Sequence, residues 1–320
     1  MTSTRNRKRV TQPIILHTDS NHIKEFRLLN NFKKKLLLFK LRYMFYFFVV
    51  VIILIELKSE KPNLSSHAVF WYDSNYFMTF NNHTFLYQDI INLQYPIRLQ
   101  PVLLILHGQH SYDWRKGIPY FQKKFFRIII PDLSDKNIKQ TEMVEQLMMF
   151  LNIRHFHLLT HMNGERILEV LLNTKLVSNV KSLCIINGGF SPLPYFASPY
   201  FLNNFGRFSV GWYIFKYANI YMFNLSAEDL YEKFLDLLQS KRFQTEINVD
   251  EKLWDTFLTN ISIPLHLIYG SKDSSIKNYL SSHNLTKYHV TLLESVGHYP
   301  QLEDPELFVR EYLKLIKKIV

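Results

Sequence analysis

A chain of 320 residues that is 47% apolar and holds 26 Phe and 19 Tyr has ample material for one large core, which excludes a disordered chain. Nine Gly and a single Cys exclude collagen-like repeats and any disulfide framework. Most of the formal charge of +11 lies in residues 1–42, where eleven Lys and Arg face only Asp19 and Glu25, so the remainder of the chain is close to neutral.

Residues 1–35 read as a basic arm. Alone, such an arm points to nucleic acid. Here it abuts an apolar run, Leu36 to Leu57, whose stretch from Tyr43 to Ile55 has no charge, and that excludes nucleic acid as the expected partner. The run reads as a transmembrane signal anchor, with Lys40, Arg42 and Glu56 near its ends where long side chains reach the interface. Basic residues on its N-terminal side predict a cytosolic arm and a luminal remainder. Sequons at Asn63, Asn82, Asn224, Asn260 and Asn284 are compatible with a lumen but carry little weight in an Asn-rich chain.

Residues 58–320 read as one domain. Polar residues 58–66 suggest a stalk. "AVFWYDSNYFMTF" and "HTFLYQDII", separated by "NNH", suggest an antiparallel hairpin. "PVLLILHG" (101–108) and "FFRIIIPDL" (125–133) are continuous apolar runs of the kind buried on both faces of a parallel sheet, and "SYDWRKGIPYFQKK" between them is helical in character. The helix "EMVEQLMMFLNI" follows, then strand 156–161, helix 165–173, strand 180–188, strand 263–270 and strand 287–294. Asp304-Pro305 launches a C-terminal helix as N-cap and first helical residue. This alternation predicts an α/β fold with a mostly parallel, doubly wound sheet. Residues 191–258 break it, being free of convincing strands and crowded with aromatics, and read as an inserted helical cap. Cys184, inside "KSLCIING", reads as a buried structural thiol.

Three anchors fall at strand ends, where open α/β sheets build their sites. "LHGQ" follows the first buried strand and can aim the backbone N–H of Gln109 at a developing oxyanion. "YGSKD" places Asp273 after the strand 263–270, and "VGHYPQLEDP" places His298 after the last strand. In this order and context the chain resembles the α/β-hydrolases over roughly residues 70–320. "SYDWRK", "KSLCIINGGFSP" and "HYPQLEDP" are similar to a membrane-anchored, endoplasmic-reticulum branch related to epoxide hydrolases and haloalkane dehalogenases. The resemblance implies an α/β-hydrolase fold with a lid at the cap segment. It implies Asp273 as the acid, His298 as the base, and a nucleophile at the apex of the elbow "THMNG", with Gln109 and Asn163 as oxyanion-hole candidates. In that branch the nucleophile is an aspartate that forms an ester, which water activated by the Asp–His pair then hydrolyses.

Two departures follow. The apex is Met162, which has no proton to lose and no negative charge, and no substitute nucleophile is visible in Thr160, His161, Asn163 or Asn187. The segment after Leu133 passes directly into "SDKNIKQ", where the family has a longer Gly-rich loop. The expectation is a degenerate hydrolase that binds an apolar small molecule under the cap or a protein partner. The alternative is a live hydrolase acting on an ester, epoxide or lipid-derived substrate through water activated by His298 and Asp273. No metal or cofactor is expected.

Overall fold

A computed structural model describes residues 20–58, 64–94, 101–107, 111–132, 140–161, 175–188, 211–217, 225–239, 256, 259–273 and 288–319. The chain divides into two compact units, Met1–Ser59 and Glu60–Val320. In the first, α1 (Ser20–Lys58) is a single helix of 39 residues. It starts earlier than the apolar run because residues 20–35 contain neither Gly nor Pro to stop it. Its stretch Leu29–Leu54 is long and apolar enough to cross a membrane, about 39 Å at 1.5 Å per residue, and is not buried by protein.

The second unit opens with a correction to the expected hairpin. Ser66–Asp73 is a helix (α2), not strand. Ser65 caps it, its Oγ accepting the Ala68 N–H at 3.2 Å, and this satisfied N-terminus outweighs the β preference of the aromatics that follow. The hairpin itself is shorter: β1 (Tyr76–Phe80) and β2 (His83–Ile91) pair antiparallel with Phe80 opposite His83. Asn81 and Asn82, at φ 48° and 63°, make the two-residue turn that Asn tolerates best after Gly.

The eight strands lie in the order β1-β2-β4-β3-β5-β6-β7-β8. The others are β3 (Val102–Leu106), β4 (Arg127–Pro131), β5 (Phe156–His161), β6 (Val180–Ile186), β7 (Leu265–Gly270) and β8 (His289–Leu293). β2 meets β4 antiparallel, and from β4 across β3, β5, β6 and β7 to β8 each neighbouring pair is parallel. Alternation along β3 sorts the core into two layers. Leu104 and Leu106 pack with Met143, Val144, Leu147 and Met148, all four of them positions of the predicted helix, here α4 (Gln140–Phe150). Leu103 and Ile105 pack with Trp114, Phe121, Phe308 and Tyr312. The segment between β3 and β4 is only partly helical: a 3-10 turn at Ser111–Trp114 and the short α3 (Ile118–Phe121).

Of the expected cap, residues 211–217 (α5) and Ala227–Gln239 (α6) are helical. Phe215, Leu225, Leu230, Phe234 and Leu235 pack with Tyr299 and Leu302, directly after His298. α7 (Pro300–Glu303) leads into the predicted C-terminal helix, α8 (Pro305–Ile319), and the Asp304 carboxylate accepts the Leu307 N–H at 3.0 Å as its cap.

Candidate active site

Asp273 lies three residues beyond the end of β7 and is fully buried; His298 lies five residues beyond β8 and is buried as well. The His298 Nδ1–H donates to Asp273 Oδ2 at 2.5 Å. With Nδ1 committed to the carboxylate, proton transfer to or from the ring runs through Nε2, the arrangement of an acid-oriented general base. The two residues read from the sequence as acid and base are thus brought together. Gln109, Met162 and Asn163 lie outside the described residues, as do the expected helix 165–173 and the shortened loop after Leu133.

The His298 loop is held by its main chain. Asn187, just past β6, donates from Nδ2 to the carbonyls of Gly297 (3.1 Å) and His298 (2.8 Å), and its Oδ1 accepts the N–H of Gly270 at the end of β7 (3.0 Å). Asn187 adopts φ 42° to reach both, a conformation Asn accepts more readily than most residues. His161, the last residue of β5, donates from Nε2 to the same His298 carbonyl at 2.8 Å. The Glu303 carboxylate accepts the N–H groups on either side, Gly297 at 2.6 Å and Tyr299 at 3.0 Å. Gly270 completes the fit: a Cβ there would stand 2.0 Å from the Gly297 carbonyl oxygen, so only glycine lets the acid strand and the histidine loop approach this closely. Burial first, and then the neighbouring His298, hold the His161 imidazole well below its ordinary range, so it is the neutral ring that donates.

A second set of polar contacts ties α6 to the turn after β3. Lys233 Nζ donates to Asp113 Oδ2, both side chains almost fully buried, and the ammonium lies 4.6 Å from the centre of the Tyr299 ring. Asp229 meets Arg115 and Lys116 at 2.5 Å each and accepts from Ser226, the residue preceding α6. Burial pushes the Tyr299 hydroxyl well up, with Asp113 adding to it, and burial likewise pushes up the Cys184 thiol, which agrees with an inert structural cysteine. Among the described residues no group of three or more His, Cys, Asp or Glu side chains is placed to hold a metal ion.

The strand order, with one antiparallel pair of strands leading into a parallel sheet and an acid and a histidine after its last two strands, decides the architecture. The chain has the α/β-hydrolase fold. Solved structures agree: a naproxen esterase from Bacillus subtilis superposes with a TM-score of 0.59 at 16% identity, covering 80% of this chain and 100% of that one. A haloalkane dehalogenase variant from Bradyrhizobium elkanii gives 0.52 at 17% identity over 77% and 97%. In sequence, this α/β-hydrolase-fold chain is similar to the mesoderm-specific transcript protein of Mus musculus, 28% identical over 313 residues, spanning 80% of this chain and 89% of the relative. No family model matches it.

Sequence reasoning missed the roles of Asn187, His161 and Glu303. Glu303 sits inside the quoted "HYPQLEDP", but a carboxylate that binds two main-chain N–H groups leaves no signature in residue spacing.

Proposed function

We propose that this chain is a membrane-anchored α/β-hydrolase-fold protein whose hydrolytic chemistry has lapsed at the nucleophile, and that it acts by binding. The observation that carries this reading is the identity of residue 162, a methionine directly after β5, where this fold turns from strand to helix and presents its nucleophile. A thioether offers His298 Nε2 no proton and an electrophilic carbon no anionic oxygen. The ligand is an apolar small molecule held beneath the aromatic segment 191–258, or a protein partner. The basic residues before α1's apolar stretch support an arm in the cytosol and the larger unit in the lumen of the endoplasmic reticulum.

The test restores the missing group. Met162→Asp supplies the carboxylate, and Met162→Asp with His298→Gln should then accumulate a covalent ester with an epoxide or haloalkane probe, visible by mass spectrometry. Wild type should give neither turnover nor adduct. Turnover of an ester or epoxide by wild type that disappears in His298→Gln overturns the binding reading. It would establish the rival, an active hydrolase, which draws its support from the Asp273–His298 hydrogen bond, the arrangement that orients an imidazole to activate water.

A further inference from the structure

The surface of the larger unit carries an apolar face of its own. α2 leaves Val69 44% and Phe70 75% exposed, and β1 leaves Phe77 70% exposed. They lie on one side of the sheet. The Gln88 amide on β2 donates to the Trp71 carbonyl at 2.6 Å and to Ser74 Oγ at 3.1 Å, which sets α2 over the sheet face that carries Gln88. Leu86 is two residues back along that face, and Phe77 stands opposite Leu86 in the β1–β2 register, so Phe77 shares the face with α2. The helix cannot roll to hide its apolar residues. Ala68 is fully buried beneath it, and the Trp71 Nε1–H donates to Ser111 Oγ at 3.0 Å. Residues 66–80 carry one formal charge, that of Asp73.

What lies near this face is constrained by chain length. Seven residues, 59–65, separate the end of α1 from the start of α2. Fully extended, the eight steps from Lys58 to Ser66 reach about 28 Å. If α1 crosses a bilayer, α2 is therefore confined to a shell about as deep as the headgroup layer and the water next to it. Phe70 and Phe77 are then presented to lipid at a high effective concentration.

We propose that the α2–β1 face, through Val69, Phe70 and Phe77, lies in the interfacial layer of the bilayer that α1 spans. This rests on the anchor reading given above. Aromatic and aliphatic side chains on a short helix with almost no charge suit that layer, where the apolar side is buried a few ångström below the headgroups and the polar flanks, Ser66, His67 and Asp73, stay wet. The face would orient the unit on the membrane instead of leaving it to swing on its tether.

Spin labels on the full chain in vesicles of dioleoylphosphatidylcholine test this. The labels are introduced one at a time through Phe70→Cys, Phe77→Cys, Val50→Cys in α1 and Lys181→Cys at an exposed position on β6; the native Cys184 is buried and does not compete. Collisions with oxygen report lipid and collisions with a water-soluble nickel chelate report solvent. The expected result is lipid exposure at 50, 70 and 77, with nickel collisions several-fold lower at 70 and 77 than at 181. Lipid at 50 but water at 70 and 77 overturns the docking and leaves the anchor standing. Shielding of 70 and 77 from both reagents also overturns it, by showing a protein partner on this face. Water at 50 overturns the anchor reading and this inference with it.

Discussion

Asn187 is the residue whose replacement tests the reading of the site most directly. Its side chain makes three buried hydrogen bonds, two to the histidine loop and one to the last residue of β7. Asn187→Ala removes all three. The His298 carbonyl keeps the His161 donor, so that loss is small, but the Gly297 carbonyl loses a donor and the buried Gly270 N–H loses its acceptor. An orphaned buried donor costs about 1–3 kcal/mol and each ordinary hydrogen bond about 1 kcal/mol, so the three together come to about 3 kcal/mol. Holding alanine at φ 42° adds roughly 1 kcal/mol that Asn does not incur. The total, about 4 kcal/mol, corresponds to a fall in melting temperature of about 12 °C for a unit of this size. All four Trp residues, at 71, 114, 212 and 254, lie in the larger unit, so their fluorescence follows its unfolding without interference from α1. Asn187→Gly removes the same bonds without the Cβ strain and is expected to melt a few degrees above Asn187→Ala. A loss below about 1 kcal/mol in Asn187→Ala would refute the reasoning, because it would mean that the acid strand and the histidine loop hold together without this clamp.

Lys233→Met leaves Asp113 as a buried carboxylate without its cation and is expected to cost about 3–5 kcal/mol, whereas pairing it with Asp113→Leu should recover much of that loss in a double-mutant cycle of thermal melts. Gly270→Ala drives a methyl into the Gly297 carbonyl and is expected to lower the melting temperature severely or prevent soluble expression, while Gly117→Ala, whose nearest contact would be an ordinary 3.4 Å, should be nearly silent. The His157 imidazole is pushed down to about 4, chiefly by burial and then by Lys181. The unfolded chain therefore binds a proton between about pH 6.5 and 4 that the folded unit does not, so stability is full above 6.5 and falls as the pH is lowered to 4, by up to about 3 kcal/mol from this residue. His161 shifts in the same direction and adds to the loss. Denaturant titrations from pH 7 to 4 should show the decline, and His157→Gln should flatten part of it.

β3 and β4 were readable because their centres are buried on both faces and appear as unbroken apolar runs, while β5 and β6 keep apolar centres despite His157, Thr160, His161, Lys181 and Ser182. Asp273 and His298 stand out in the sequence because each follows a strand, at the edge of the sheet where chemistry gathers, although β8 itself is largely exposed. α2 was misread because eight residues rich in Phe, Trp and Tyr with neither Gly nor Pro look like strand, while the decisive local signal, Ser65 one residue before the helix, is a single hydroxyl. The start of α1 at Ser20 was missed because the membrane pattern marks only the apolar part of a helix. The clamp around His298 was invisible for a different reason. Asn187, His161 and Glu303 come from three separate elements and act on main-chain atoms, whose partners no side-chain pattern encodes. From the sequence alone Asn187 offers only a stand-in for a carboxylate, a role its amide cannot fill.

The burial of Asp273 bears on how such a site changes over many substitutions. Its carboxylate is sealed from water, and the His298 ring supplies a short, charge-assisted bond to it. Replacing the imidazole alone removes that bond from a buried carboxylate, and replacing the carboxylate alone removes it from the ring. Either single step therefore carries a folding penalty. A nucleophile, by contrast, is required by the reaction and not by the fold. A lineage released from selection for catalysis would for that reason shed the nucleophile first and keep the acid and base long afterwards, so that what reads as half of a working machine is also what neutral drift would leave behind.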